Sequence, residues 1–394
     1  MRTVYLDYNA TTPVDPSVVE AMNPIWKGAF GNPSSVHSFG RDAKVALENA
    51  RECAAELLGV EPSEIVFTSG GTEGDNLAVK GIMRSQTGAR RRVVVSTIEH
   101  SAVRDSALAL AAEGFSVAEV PVTHEGFVTP NALAAKLGDD VALVSIMHAN
   151  NEIGSAQDIP NLSALAHSRG ALFHTDAVQS FGKIPVRVPE LGVDLLTLSA
   201  HKIYGPKGAG LVYIKSGVKI APLFHGGSQE KKRRTGTENV ALAVGLTKAM
   251  ALAVQRQESE YERLFTLAEG FWRRMKAEIP DVTLNGSELS HKRVTRLPST
   301  LNVSFQGVEG EPLILSLDLE GVAVASGSAC HAGAVDPSHV LVGIGRPVSD
   351  AKSAIRFSLG VHTTDEDINY VCDLLPGIVS RLRSLSPSRA RALN

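Results

Sequence analysis

Four short segments hold residue types that can do chemistry together. In residues 198–208, Lys202 follows an apolar strand, with Ser199 and His201 before it and a Gly/Pro-rich loop after it. A lysine desolvated among cations has a lowered pKa and becomes a nucleophile toward a carbonyl, although many lysines so placed are simply solvated. In residues 173–179, Asp176 stands where a buried strand ends, with Gln179 three positions on. Carboxylates at strand carboxyl ends are natural site residues in open α/β folds, and the same position also suits a helix N-cap. In residues 67–73 a strand runs through Gly70 and Gly71 into a helix, and Thr72 adds a hydroxyl. Free backbone N–H groups at such a turn can cradle a phosphate, or the glycines can merely turn the chain. The fourth segment, residues 325–333, surrounds Cys330 with small residues and glycine. That composition describes an exposed loop in which a thiol can be reached and can travel.

These groups need elements to hold them. Residues 41–58 carry Val45, Ala46, Ala50, Cys53 and Leu57 at helical spacing, with Gly59 as a C-terminal stop. Apolar strand-sized runs follow at 65–67, 93–95, 141–147, 171–173, 195–198 and 211–214, with amphipathic stretches such as 132–137 and 162–167 between them. Buried strands alternating with helices predict an α/β fold with a mostly parallel sheet covered on both faces. From about 239 to 277 the pattern is long and helical, and beyond it lie alternating segments at 300–305 and 322–325 and a terminal helix near 365–382. The expected organisation is a large domain over residues 14–255. Residues 1–13 and 256–394 would form a smaller α+β domain that carries the Cys330 loop.

A phosphate cradle, a buried acid and an imine-forming lysine are the parts that a pyridoxal phosphate site needs. The lysine holds the aldehyde, and the acid keeps the ring nitrogen protonated. Residues 7–13 (Asp-Tyr-Asn-Ala-Thr-Thr-Pro), 31–35 (Gly-Asn-Pro-Ser-Ser), 97–100 (Thr-Ile-Glu-His), 150–154 (Asn-Asn-Glu-Ile-Gly) and 234–239 (Arg-Thr-Gly-Thr-Glu-Asn) accompany them. With these motifs the chain resembles NifS/IscS-type cysteine desulfurases, a class V branch of the aminotransferase superfamily, from Tyr5 to about Leu374. The resemblance implies a fold type I architecture with pyridoxal 5'-phosphate held on Lys202 and Asp176 paired with the pyridine nitrogen. It implies Gln179 and Asn151 near the phenolic oxygen, and His100 stacked on the ring as an acid–base group. Gly71, Thr72, Ser199 and His201 would hold the phosphate, and Thr237 would reach it from the neighbouring subunit of a homodimer. Arg356 would grip the substrate carboxylate as a fork, with a helix-end ion pair as the plainer reading.

Cys330 selects the reaction within that family. A thiolate there would take sulfur from L-cysteine as a persulfide, leave alanine, and pass the sulfur to an acceptor protein for iron–sulfur cluster or thio-cofactor assembly. Cys330 stands 26 positions before Arg356, a span similar to the long-loop group that delivers sulfur directly to partner proteins. One departure is His331-Ala332, where many relatives carry Thr or Ser and then Ser. A Cys-His pair is also similar to animal selenocysteine lyases, so His331 either lowers the thiol pKa or is a neutral loop substitution. Cys53 and Cys372 read as structural. A class V aminotransferase would need no loop cysteine, and an iron–sulfur scaffold would cluster its cysteines rather than scatter three of them.

Bulk properties exclude other classes. The formal net charge of −3 gives no electrostatic case for nucleic acid or anionic membrane as a partner. The basic run 231–234 therefore reads as a solvated rim beside the 234–239 motif. No apolar run reaches the roughly 20 residues of a membrane span. The N-terminus lacks the apolar core of a signal peptide, and three dispersed cysteines fit a reducing cytoplasm. The twelve histidines show no paired metal-ligand spacing.

Overall fold

The computed structural model describes residues 2–291, 295–326 and 337–385, so Cys330 and His331 lie outside the described residues. Twelve strands occur among them: β1 (Val4–Tyr5), β2 (Ile65–Thr68), β3 (Arg92–Ser96), β4 (Ser116–Val120), β5 (Val141–Ser145), β6 (Leu172–Asp176), β7 (Leu195–Ser199), β8 (Gly210–Ile214), β9 (Val282–Leu284), β10 (Thr300–Phe305), β11 (Val322–Ala323) and β12 (Ala354–Ser358).

The central sheet has seven strands in the order β2-β8-β7-β6-β5-β3-β4. All its neighbouring pairs are parallel except those made by β8, which runs antiparallel to both β2 and β7. Every residue of β5, β7 and β8 is buried. That is why these strands read as continuous apolar runs rather than alternating ones. The helix Ser38–Leu58 ends on Gly59 in the left-handed conformation at φ +74°, as its pattern predicts. The amphipathic stretch at 132–137 yields only the short helix Pro130–Ala134, which starts at a proline after its Thr129 cap. Strand β4 escapes the apolar-run reading because only Val120 of its five residues is buried.

The helix Val240–Glu278 spans 39 residues, capped by the Asn239 side chain on the Leu242 N–H. Its first half packs Val240, Leu246 and Met250 into the core of the central sheet. Its second half packs Leu264, Phe271 and Met275 into a separate core built on β10 and β12. The second core also holds Val4 and Leu6 from the chain start and Val371, Leu375 and Val379 from the terminal helix Asp365–Leu385. β1 pairs in parallel with β11, and Asp7 bridges to Ser358 of β12, so the first residues are sewn to the C-terminal third. Among the described residues no helix is long and apolar enough to cross a membrane.

Candidate active site

The parallel strands present their carboxyl ends on one side, the usual location of ligands in open α/β sheets. β2 leads to Gly70–Thr72, β3 to His100, β5 to Met147 and Asn151, β6 ends on Asp176, and β7 ends on Ser199 ahead of Lys202. His100, Met147, Asn151, Asp176, Ser199 and Lys202, together with Asp7, Asn9, Gly71, Thr72, Asp75, Gln179, His201, Ala325 and Arg356, line one cavity of about 420 Å³. Eleven of the twelve residues expected from the sequence lie in the described parts, and ten of these meet here. The eleventh, Thr237, lines a different crevice with Ser69, Arg234 and Asn239.

The cradle follows from backbone chemistry. Gly70 takes φ +153°, ψ −174°, a conformation open essentially to glycine, and the helix Gly71–Ser85 starts directly after it. Beside this helix start the Ser199 hydroxyl is buried and has no hydrogen-bond partner among the described residues. An orphan hydroxyl, free N–H groups and a helix N-terminus suit a phosphate. His201 Nδ1 meets Thr11 Oγ1 at 3.2 Å, and burial lowers its pKa to about 4. It therefore faces the cavity as a neutral imidazole.

Lys202 donates from Nζ to the main-chain carbonyls of Asn9 at 2.6 Å and Ala10 at 2.9 Å. Burial and then the Arg356 charge lower its pKa to about 8, against the opposing pull of Asp176 and Asp7. An amine of this kind deprotonates readily and can form an imine. Its backbone is held from both sides. Tyr204, two residues on, sits at φ +66°, costly for an aromatic residue, while the Thr12 hydroxyl accepts its N–H at 2.7 Å. The Tyr204 hydroxyl in turn accepts the Val361 N–H at 2.9 Å.

Asp176 accepts one N–H, from Val178, through Oδ1 at 2.8 Å. It shares the interior with two further acids, Asp75 and Glu99, and burial raises all three pKa values. Glu99 rises to about 8, hydrogen-bonded to Ser96 and the Met147 N–H, so it is neutral at pH 7. For Asp176, His100 and Lys202 counter the burial, which makes it the acid best placed to face a cation in the cavity. His100 caps the helix Ser101–Ala109 by accepting the Ala102 N–H at Nδ1, 3.1 Å away. The protein around its ring lowers its pKa, with Asp176 pulling the other way.

Arg356 enters from β12. Nη2 donates to Asp7 Oδ1 at 2.7 Å, Nη1 donates to the Asn151 carbonyl at 3.1 Å, and Nε is buried without a partner among the described residues. Its main chain exchanges two hydrogen bonds with Ala325, the cavity residue five positions before Cys330. Beyond the undescribed stretch, His339 Nε2 meets the Glu99 carbonyl at 2.9 Å. The flank before the Cys330 segment is thus anchored at the cavity, and the flank after it is tied to the residue that precedes His100.

The Aminotransferase class-V family profile matches residues 4–371. A protein named cysteine desulfurase IscS from Dictyoglomus turgidum is 50% identical over 386 residues, covering 98% of this chain and 97% of that one. Its namesake from Clostridium botulinum is 45% identical, covering 98% and 96%. The chain belongs to the IscS/NifS-type cysteine desulfurases. A solved member of the same group, a NifS-like protein, superposes with a TM-score of 0.89 at 36% identity, covering 97% of this chain and all of that one.

Read as a cysteine desulfurase, the chain holds cavity residues that sequence reasoning passed over. Asn9 lies inside the 7–13 motif, where only its motif membership pointed to it. Asp75, four positions after Gly71, left no more signal than one helical turn of spacing. His225 is exposed and lines no part of this cavity. Cys53 is half-buried and Cys372 buried, and burial raises both thiol pKa values, so neither is an activated thiolate. Among the described residues no group of three or more ligating side chains suits a metal ion.

Proposed function

We propose that the protein is a pyridoxal 5'-phosphate-dependent cysteine desulfurase that converts L-cysteine to L-alanine and carries the sulfur as a persulfide on Cys330 to an acceptor protein. The observation that carries this reading is the single cavity that gathers Lys202, Asp176, His100, Ser199 and Arg356 beside the anchored flank of the Cys330 segment.

When bound, pyridoxal phosphate supplies an electron sink that loosens bonds at the substrate's α- and β-carbons. The chain's residues supply the rest. Lys202 would hold the aldehyde and, once freed, shuttle a proton. Asp176 would hold the ring nitrogen's proton, supported by its burial beside two acids that prefer to stay neutral. Gly71, Thr72, Ser199 and His201 would bind the phosphate, Gln179 and Asn151 the ring's phenolic oxygen and its surroundings. His100 would stack on the ring face and move a proton. Arg356, already turned toward Asp7, would take the substrate carboxylate. The Cys330 thiolate attacks the substrate sulfur. The C–S bond breaks, an S–S bond forms, and the carbon gains a proton, so cysteine and a thiol become alanine and a persulfide.

Thr237 stands apart from its own chain's cavity, which supports the reading that it completes the phosphate site of a second copy in a homodimer. The two hydrophobic cores support a large domain over 14–255 and a small one from 1–13 and 256–394. Acceptors in iron–sulfur cluster or thio-cofactor assembly, and a cytoplasmic location, complete the proposal.

The deciding experiment compares alanine and sulfide release from L-cysteine with selenide release from L-selenocysteine. Protein showing a visible cofactor band should give stoichiometric alanine from cysteine, and Cys330→Ala should keep the band while releasing no sulfide. Continued turnover by that variant would sink the persulfide step, and activity on selenocysteine alone would make the protein a selenocysteine lyase.

A further inference from the structure

Lys183 stands behind two residues of the cavity wall, Asn9 and Gln179, and lines a neighbouring pocket with Tyr8, Lys202 and Tyr204, a place that the catalytic assignment leaves unexplained. It stands four residues after Gln179, in the turn that follows β6. Its ammonium donates to the side-chain oxygen of Gln179 at 2.9 Å and to that of Asn9 at 3.2 Å. Among the described residues no carboxylate lies within ion-pair distance of it. Its charged neighbours are Lys202 and Arg356, both of like sign, and with burial as the larger cause they lower its pKa to about 7. A lysine held only by two amide oxygens, near two cations, does not earn its position as a salt bridge.

The consequence lies in the two amides. The ammonium form has three donors and no acceptor, so the amide atom facing it must be oxygen, and with a pKa of about 7 this lock weakens as pH rises above neutrality. With both side-chain oxygens engaged, each amide can turn only its NH₂ elsewhere. Asn9 donates that group to Thr300 Oγ1 at 2.9 Å and to the Asn151 carbonyl at 3.1 Å. Gln179 donates from Nε2 to the Asn9 carbonyl at 2.9 Å, the same carbonyl that holds Lys202 at 2.6 Å. Gln179 also lines the cavity, so its second N–H is the only polarity it can offer there.

We propose that Lys183 is a positioning residue that locks Gln179 as a hydrogen-bond donor toward a negatively charged cofactor oxygen and fixes Asn9, whose carbonyl restrains Lys202. The role rests on the pyridoxal phosphate reading. Without Lys183 only the Nε2 bond to the Asn9 carbonyl holds the Gln179 amide, and a flip would turn its oxygen toward a like-polarity oxygen of the cofactor.

The test uses the full-length holoenzyme and its cofactor-stripped form. Lys183→Met keeps the unbranched stem as far as Cε and removes the amine with its donors. The readouts are the position and pH titration of the visible cofactor band, and the dissociation constant for pyridoxal phosphate on reconstitution. We expect a shifted titration and about tenfold weaker cofactor binding, from the loss of a charge-assisted hydrogen bond. Gln179→Ala should give a similar change, and the double variant should be no worse than either single one, because both act through one donor. Should Lys183→Met fail to fold, Lys183→Gln, which retains an uncharged NH₂ donor group, takes its place with an expected intermediate shift. A wild-type band and titration in the variant that folds, or effects additive with Gln179→Ala, would overturn the role of Lys183. Failure of the wild-type protein to bind pyridoxal phosphate at all would instead overturn the cofactor reading.

Discussion

Arg356 and Asp7 stand 349 positions apart in the chain, yet Nη2 of one lies 2.7 Å from Oδ1 of the other at the edge of the cavity. The pair forms because the first residues add to the C-terminal core, with Asp7 bridging to β12 two residues beyond Arg356. Asp7 holds the guanidinium in place, and the partnerless Nε leaves a donor for an incoming carboxylate.

Arg356→Lys should therefore weaken substrate binding more than it slows chemistry. Lysine offers a point charge in place of the fork, and the expected rise in KM for L-cysteine is about tenfold or more, with a smaller change in kcat. Steady-state kinetics on cofactor-saturated enzyme would show it. An unchanged KM would remove Arg356 from the substrate site.

Ser199→Ala separates cofactor binding from folding. The hydroxyl is buried with no partner among the described residues, so removing it should leave the cofactor-free protein within about 0.5 kcal/mol of wild type, or slightly more stable. Affinity for pyridoxal phosphate should still fall, by roughly threefold to tenfold for one lost hydrogen bond. Denaturant unfolding of the stripped protein and fluorescence titration with cofactor would measure the two effects. A stability loss without an affinity loss would contradict the phosphate assignment.

Lys202 should impose a cost on the cofactor-free fold that depends on pH. Its pKa falls from 10.5 to about 8 on folding. Between those values the unfolded chain binds a proton that the native state has released, so native stability rises as pH climbs through this window. Below about pH 8 the cost is fully present. Lys202→Met should then stabilise the cofactor-free protein at pH 7 by roughly 1–3 kcal/mol and flatten its pH dependence between 8 and 10. Urea midpoints at pH 7 and 9.5 would decide, and parallel pH profiles for the two proteins would count against a desolvated lysine.

Glu99 runs in the opposite sense. Its carboxyl rises from 4.5 to about 8, so the native state keeps a proton that the unfolded chain has lost in that interval. The stability contributed by the neutral acid is complete below 4.5 and disappears as pH rises through 8. Glu99→Gln mimics the neutral form, and its stability should decline less than that of wild type between pH 5 and 8.5. Unfolding midpoints across that range would test this, and an identical decline in the two proteins would show that Glu99 is ionised in the fold.

Much of the site was legible before any coordinates. The strands entering it are buried on both faces, so their apolar runs marked where the sheet lies, and Gly70, Asp176 and Lys202 follow those runs directly. Local patterning locates such residues because the carboxyl end of a parallel strand is both a chain feature and the mouth of the site. Motif order did the rest, through residues 7–13, 150–154 and 234–239.

Other features have no local signature. The carbonyl of Asn9 reaches Lys202 across 193 positions, and Arg356 reaches the cavity from a strand of the second core. Protonation is equally non-local. Glu99, Asp75 and Asp176 are three ordinary carboxylates in the sequence, and only their joint burial keeps acids neutral and leaves Asp176 facing His100 and Lys202. Thr237 belongs to a motif that the sequence shows plainly, while the fold sets it in another crevice. The sequence by itself determined which residues can do the chemistry, since side-chain type and strand punctuation are written along the chain. The tertiary structure decided which of them meet and in what charge state, because desolvation and hydrogen bonding act between neighbours that only folding creates.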